Sequence, residues 1–146
     1  MNPLFTRLLF LVALSIAAAA PLKVGAAPLA DDDAQKVQAV IVAQLEAFRE
    51  DDADSAFETA TPAVREAIGS SGRFLALVRG VYPMVYRPAR VAFLKPEQDE
   101  DQVLQMVEIT DSESKTWLAL FAMERQPDNS WRISGCLVAE NRWRSA

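Results

Sequence analysis

Glu108, Tyr82, Tyr86, Arg87 and Arg90 are the side chains with which this sequence could do chemistry. A carboxylate that moves a proton needs apolar surroundings, with a hydrogen-bond donor placed where negative charge develops. Glu108 follows Leu104 and Met106 at two-residue spacing. On a strand it shares their face and can enter a pocket. Tyr82 and Tyr86 offer hydroxyl donors, and Arg87 or Arg90 a cation for an anionic ligand. That set describes a cofactor-free isomerase or dehydratase. The same residues also fit a plainer arrangement. Glu108 then pairs across the sheet with an arginine such as Arg132, and the tyrosines pack with their hydroxyls at the rim. "YPMVYRP" carries two aromatics, an arginine and two prolines. It reads as a stiff ligand-binding segment, or as a rigid connector that closes the core.

Other chemistries lack their parts. The chain contains no histidine. This removes the commonest general base, the commonest metal ligand and every histidine-dependent triad. One cysteine, Cys136, supplies neither a zinc site nor an internal disulfide. Cys136 is expected to be a small packed residue of a strand. A thiol that pairs between chains is the other reading. Acidic clusters lie at Asp31–Asp33, Glu50–Asp54 and Asp99–Asp101. A calcium loop begun at Asp52 would lack its central glycine and place Ala63 where a bidentate glutamate belongs. Solvated charge and helix capping explain these acids better. The five glycines are scattered, with no phosphate-cradling loop. The expected cofactor is therefore none, and the expected metal none.

The chain opens with "MNPLFTRLLFLVALSIAAAA", in which Arg7 precedes a 13-residue run, Leu8–Ala20, apolar but for Ser15. A membrane span needs roughly 20 residues, so this run fits a secretory leader. Cleavage after Ala26 leaves Val24 and Ala26 in the small-residue positions, whereas cleavage after Ala20 would put Pro21 next. Residues 1–26 are thus read as a signal peptide and 27–146 as one domain, periplasmic or secreted, with no stable membrane span after cleavage. The leader holds Arg7 and Lys23 and no acid, so its loss takes the formal net charge from −5 to −7. So acidic a domain repels phosphate backbones, and no nucleic-acid partner is expected.

The elements that must hold these residues change character midway. Val37, Val40, Ile41, Leu45 and Phe48 trace one helical face, with Asp32 as the expected cap and Gln35 completing a capping box. Asp54 suits the cap of a short second helix. Thr61, Pro62 and Gly69 frame a third. Phe74, Leu77, Val78 and Val81 mark a fourth, ended by Tyr82 before Pro83. Four strands follow, "RPARVAFLK", "DQVLQMVEIT", "KTWLALFAMER" and "SWRISGCLVAE", the last three joined by the short links "DSESK" and "QPDNS". Short links make neighbours antiparallel. The fold class is α+β, with N-terminal helices packed on an antiparallel sheet of about four strands. Trp117, Ala119, Phe121 and Met123 point one way, and Leu118, Leu120 and Ala122 the other. On the last strand, Trp131, Ile133 and Leu137 are expected to oppose Cys136 and Val138. A strand with one wet face would alternate with polar residues. The helices cover one side. A homodimer through the outer sheet face is the commonest way to cover the second.

At "YPMVYRPARV", "EITDSESKTWLALFAMER" and "MERQPDNSWRISGC" the chain resembles an exported bacterial family, a domain of unknown function. That family is placed in the nuclear transport factor 2-like (cystatin-like) superfamily. The likeness runs over most of residues 35–138, with Asn129 standing where glycine is usual in the turn. It implies a cone, in which a curved sheet wraps helices around a pocket. The superfamily includes isomerases and dehydratases as well as non-catalytic ligand-binding and dimerising domains, so the likeness narrows fold more than activity. The expected function is a non-catalytic domain of the cell envelope that binds a protein or a small apolar or anionic ligand. Tyr82, Tyr86, Arg87 and Arg90 are its candidate binding residues. The alternative is the Glu108 enzyme with Tyr82 or Tyr86.

Overall fold

The computed structural model describes residues 29–143. The expected leader and the last three residues lie outside that range. The first element is α1 (Asp31–Arg49), which buries Val37, Ile41, Leu45 and Phe48 along the stripe that the spacing predicts. It begins two residues earlier than expected, with Ala30 and not Asp32 at the cap position. Ala30 precedes it without a side-chain cap, and Asp31, Asp32 and Asp33 fill the first turn, where carboxylates meet the positive end of the helix. Asp32 pairs with Lys36 at 3.2 Å instead of capping.

α2 (Ala53–Glu58) is capped by Asp52, not Asp54: the Ser55 amide donates to Asp52 Oδ1 at 3.1 Å. Asp54 instead accepts from Ser71 Oγ at 2.6 Å. α3 (Pro62–Ile68) follows its local signals, with Thr61 as cap, Pro62 in the first turn and Gly69 at φ 103° closing it. α4 (Ser71–Val81) is capped by Ser70 and buries Leu75 and Val78. Its buried stripe differs from the expected one, because Leu77 and Val81 are 45% and 60% exposed. Tyr82, at φ −125° and ψ 58°, leaves the helix before Pro83. The chain at once turns through α5 (Pro83–Tyr86), a single turn that periodicity did not reveal.

The sheet is antiparallel, with β1 (Arg90–Phe93), β3 (Gln102–Thr110), β4 (Thr116–Arg125) and β5 (Trp131–Glu140) in that order. A fifth strand, β2 (Glu97–Asp99), also pairs with β3. β1 and β2 act as one edge interrupted around Leu94–Pro96. Gln105, fully buried, repairs the gap: its Nε2 donates to the carbonyls of Leu94 at 2.6 Å and Met106 at 2.9 Å. Its Oε1 accepts from Gln38 Nε2 at 3.4 Å. The inner face of the sheet presents Val103, Val107, Ile109, Ala119, Phe121 and Met123 to the helices.

β5 departs from simple alternation. Its register shifts between Ala122 and Met123, so that Ile133 faces Met123 while Cys136 faces Phe121. Partners in register share a face, so Trp131, Ile133, Cys136 and Val138 all lie inside, and Leu137 lies outside. The expectation that Cys136 and Val138 oppose Trp131 and Ile133 is thereby corrected. The outer edge of β5 is partly blunted: Thr61 N donates to Ile133 O at 3.0 Å, and Ile133 N to Thr59 O at 2.8 Å. This bridge docks the start of α3 on the sheet.

Candidate functional site

A cavity of about 170 Å³ lies between the helices and β5. Gln44 and Phe48 of α1 form one wall. Phe74 and Val78 of α4 form a second, extended by Tyr82 and Val85. Ala60 and Val64 enter because the bridge to Ile133 pulls their segment onto the sheet. Ile133, Cys136 and Val138 make the floor, brought to one side by the bulge in β5. Phe74 also meets Phe48 at 5.5 Å and Phe57 at 5.8 Å between ring centroids, in tilted geometry. Leu77, the lining residue most exposed to solvent, marks the mouth.

The lining contains no carboxylate and no cation. Cys136 is its one titratable group besides Tyr82, and burial pushes its thiol up to about 12. At neutral pH it is a protonated, weakly polar packing group, the opposite of an activated thiolate. Gln44 is the polar contribution from depth, being only 4% exposed. Its Nε2 donates to Thr59 Oγ1 at 2.9 Å, and Thr59 Oγ1 donates to the Ala56 carbonyl at 2.6 Å.

The residues singled out in the sequence do not converge. Tyr82 alone lines the cavity. The Tyr86 hydroxyl donates to Asp51 Oδ1, and Arg87 Nη2 donates to Asp51 Oδ2 at 3.1 Å and to the Tyr86 oxygen at 3.1 Å. Arg79 approaches the same carboxylate at 3.7 Å. The guanidinium carbons of Arg87 and Arg79 lie 4.7 Å and 5.4 Å from the centre of the Tyr86 ring. Tyr86 and Arg87 thus form a surface clasp that ties the end of α1 to α5. The hydrogen bond from Tyr86 is the largest cause holding the Asp51 carboxyl below its ordinary range; desolvation opposes it, and the charges of Arg87 and Arg79 and the hydrogen bond from Arg87 add to the lowering.

Arg90 is exposed at the start of β1, opposite Thr110. Glu108 shares a strand face with Leu104 and Met106, as its spacing predicts, but that face is the outer one. It stands in register with Ala92 and Leu118 and accepts from Asn141 Nδ2 at 3.3 Å. The pairing of Glu108 with Arg132 is not formed either: Arg132 Nη1 donates to the Glu58 carbonyl. Glu108 is therefore not among the residues that line the cavity with Tyr82.

Gln44 was missed in the sequence, although a signal was there. It sits three residues after Ile41 and seven after Val37, a polar side chain on the buried stripe of α1. Among the described residues no group of three or more acids, cysteines or histidines is placed to hold a metal ion. No described helix is long and apolar enough to cross a membrane. No curated protein matches the sequence. A family model, "Domain of unknown function (DUF4864)", matches residues 30–146, which take in every element from α1 to β5. This arrangement of helices, bulged sheet and apolar cavity is therefore that of a member of the DUF4864 family, to which the chain belongs.

Proposed function

We propose that this chain is an exported, non-catalytic domain of the cell envelope that holds a small molecule in the cavity above β5. One observation carries the reading: an apolar cavity whose walls hold no ionised side chain at neutral pH. Such a lining favours desolvated carbon and gives proton-transfer chemistry no base. The order of helices before a bulged antiparallel sheet also supports placing the fold with the nuclear transport factor 2-like superfamily. The apolar run Leu8–Ala20 behind Arg7 supports export, with cleavage after Ala26. The apolar outer face of the sheet supports pairing with a second copy of the chain.

The cavity is tested by titrating the isotope-labelled mature protein with toluene and following side-chain methyl resonances. Shifts confined to the methyl groups that line the cavity, those of Ala60, Val64, Ile68, Leu77, Val78, Val85, Ile133 and Val138, are expected. The variant Val64→Phe, which adds a ring at a half-buried lining position, should abolish them. Shifts scattered over the molecule, or none, would remove the reading.

A further inference from the structure

We infer that the occupant of this cavity is a neutral, largely apolar molecule of about one ring in size that carries a single O–H or N–H donor, received by Gln44 Oε1. The inference rests on the ligand-binding reading and sharpens it to a chemical class. Size comes first. A dry apolar cavity of ~150 Å³ accommodates benzene, and this one measures about 170 Å³.

Polarity follows from the relay behind the wall. Thr59 Oγ1 has one proton, and at 2.6 Å from the Ala56 carbonyl that proton is spent there. The atom of Gln44 that meets Thr59 must then be a donor, which fixes the amide with its nitrogen toward Thr59. The carbonyl oxygen is left on the other side. Among the described residues it has no donor, on a side chain that is almost wholly removed from solvent and lines the cavity. It is also not sealed within the protein like the buried, unpartnered nitrogens of Arg65 and Trp131. An occupant that displaces water from this oxygen without offering a donor leaves an acceptor unpaired, which is costly, and an occupant carrying a donor removes that cost.

Charge is decided by exclusion. Arg79 and Arg87 face Asp51 at the surface and Arg90 lies on β1, so no cation lines the wall to balance an anionic ligand. An unpaired charge carried into apolar surroundings is strongly disfavoured.

The experiment compares three probes of one ring, toluene, p-cresol and benzoate, by calorimetric or NMR titration of the mature protein and of Gln44→Met. In the unaltered protein p-cresol should bind at least as tightly as toluene, although water holds its hydroxyl more strongly. Benzoate should bind more than about tenfold more weakly than p-cresol. In Gln44→Met the preference for p-cresol over toluene should fall by about tenfold, the expected effect of a buried donor left unmade. Toluene preferred over p-cresol in the unaltered protein overturns the inference but leaves the cavity reading intact, and this comparison needs no variant to fold. The inference is likewise overturned if Gln44→Met, still folded by circular dichroism, keeps the ratio unchanged, or if benzoate binds best. Failure of all three probes removes the cavity reading itself, and the inference with it.

Discussion

The two faces of the sheet are almost equally apolar in sequence and entirely different in environment. On the inner face Val103, Val107, Ile109, Ala119, Phe121 and Met123 are at most 1% exposed. On the outer face Leu104, Met106, Leu118, Leu120 and Ala122 are half-buried, and Leu137, in register with Leu120, is 73% exposed. The helices make the difference: α1, α3 and α5 pack against the sheet, and α2 and α4 pack on the other helices. Apolar side chains therefore serve two ends here. Inside they hold the chain together and shape a cavity. Outside they form a contiguous surface of the kind that marks association.

The largest expected effect would break this contrast if it failed. Phe121→Ala should cost about 3–5 kcal/mol, the range for removing a buried ring. Leu137→Ala should change the stability of the unpaired chain by no more than about 0.5 kcal/mol. Denaturant midpoints of the two variants, read at protein concentrations too low for two copies to pair, decide between them. A cost at Leu137 as large as that at Phe121, and independent of protein concentration, would mean that the outer face is already covered within one chain. The proposed pairing of two copies is read in the same material: sedimentation should show a dimer that Leu137→Glu dissociates while the variant's fold is kept.

The contrast also explains what could be read from the sequence. Local signals were sufficient where they were unambiguous, as in α3, where Thr61, Pro62 and Gly69 each do one job. They failed where neighbours compete. In "EDDADS" both Asp52 and Asp54 suit a cap, and only packing selects Asp52. β2, "EQD", has no apolar pattern and exists because β3 offers it an edge. The bulge in β5 falls at Ser134–Gly135, where small side chains give no warning of a change of phase. Glu108 is the instructive case. Its spacing from Leu104 and Met106 correctly gave the shared face, but a strand apolar on both faces does not say which one is inside. Tyr82 and Tyr86 carried the same signal in "YPMVYRP", and only the turn of α5 separates them: Tyr82 lines the cavity, whereas Tyr86, one helical turn later, points to Asp51.

Cys136 sharpens the contrast from within the cavity, with a smaller effect. Burial raises its thiol from 9.0 to about 12, so the folded chain favours the neutral form. For a raised value the sign is fixed. The stabilisation is complete below the unfolded value near 9 and is lost as pH rises toward 12. At about pH 10.5 the loss attributable to Cys136 is about 2 kcal/mol. Cys136→Ala removes this titration. Its stability relative to the unaltered protein should therefore improve between pH 9 and 10.5, in urea denaturation run at each pH. A difference that stays flat across that interval would place the thiol in contact with water and contradict the apolar floor of the cavity.

The smallest effect concerns how the cavity wall is held from outside. Tyr82 and Val85 line the cavity, and the next turn of chain is fastened by the clasp of Tyr86 and Arg87 on Asp51. Asp51, at φ 56°, adopts the left-handed backbone that aspartate tolerates, which supports the turn after α1. Its lowered carboxyl value makes the clasp stabilising above the unfolded value near 3.9, and this contribution disappears as pH falls through the folded value. Tyr86→Phe removes the largest cause of the shift, so the variant should lose less stability than the unaltered protein on acidification from pH 5 to 2. The two curves should converge at the acid end. Asp111 provides the comparison within the same molecule, because its value is lowered chiefly by the Trp117 indole, which donates to Oδ2 at 3.0 Å. A Tyr86→Phe curve that runs parallel to the unaltered one would assign the acid sensitivity to Asp111 and the sheet. Convergence would assign it to the clasp, and would make this solvent-exposed carboxylate part of what positions Tyr82 over an apolar cavity.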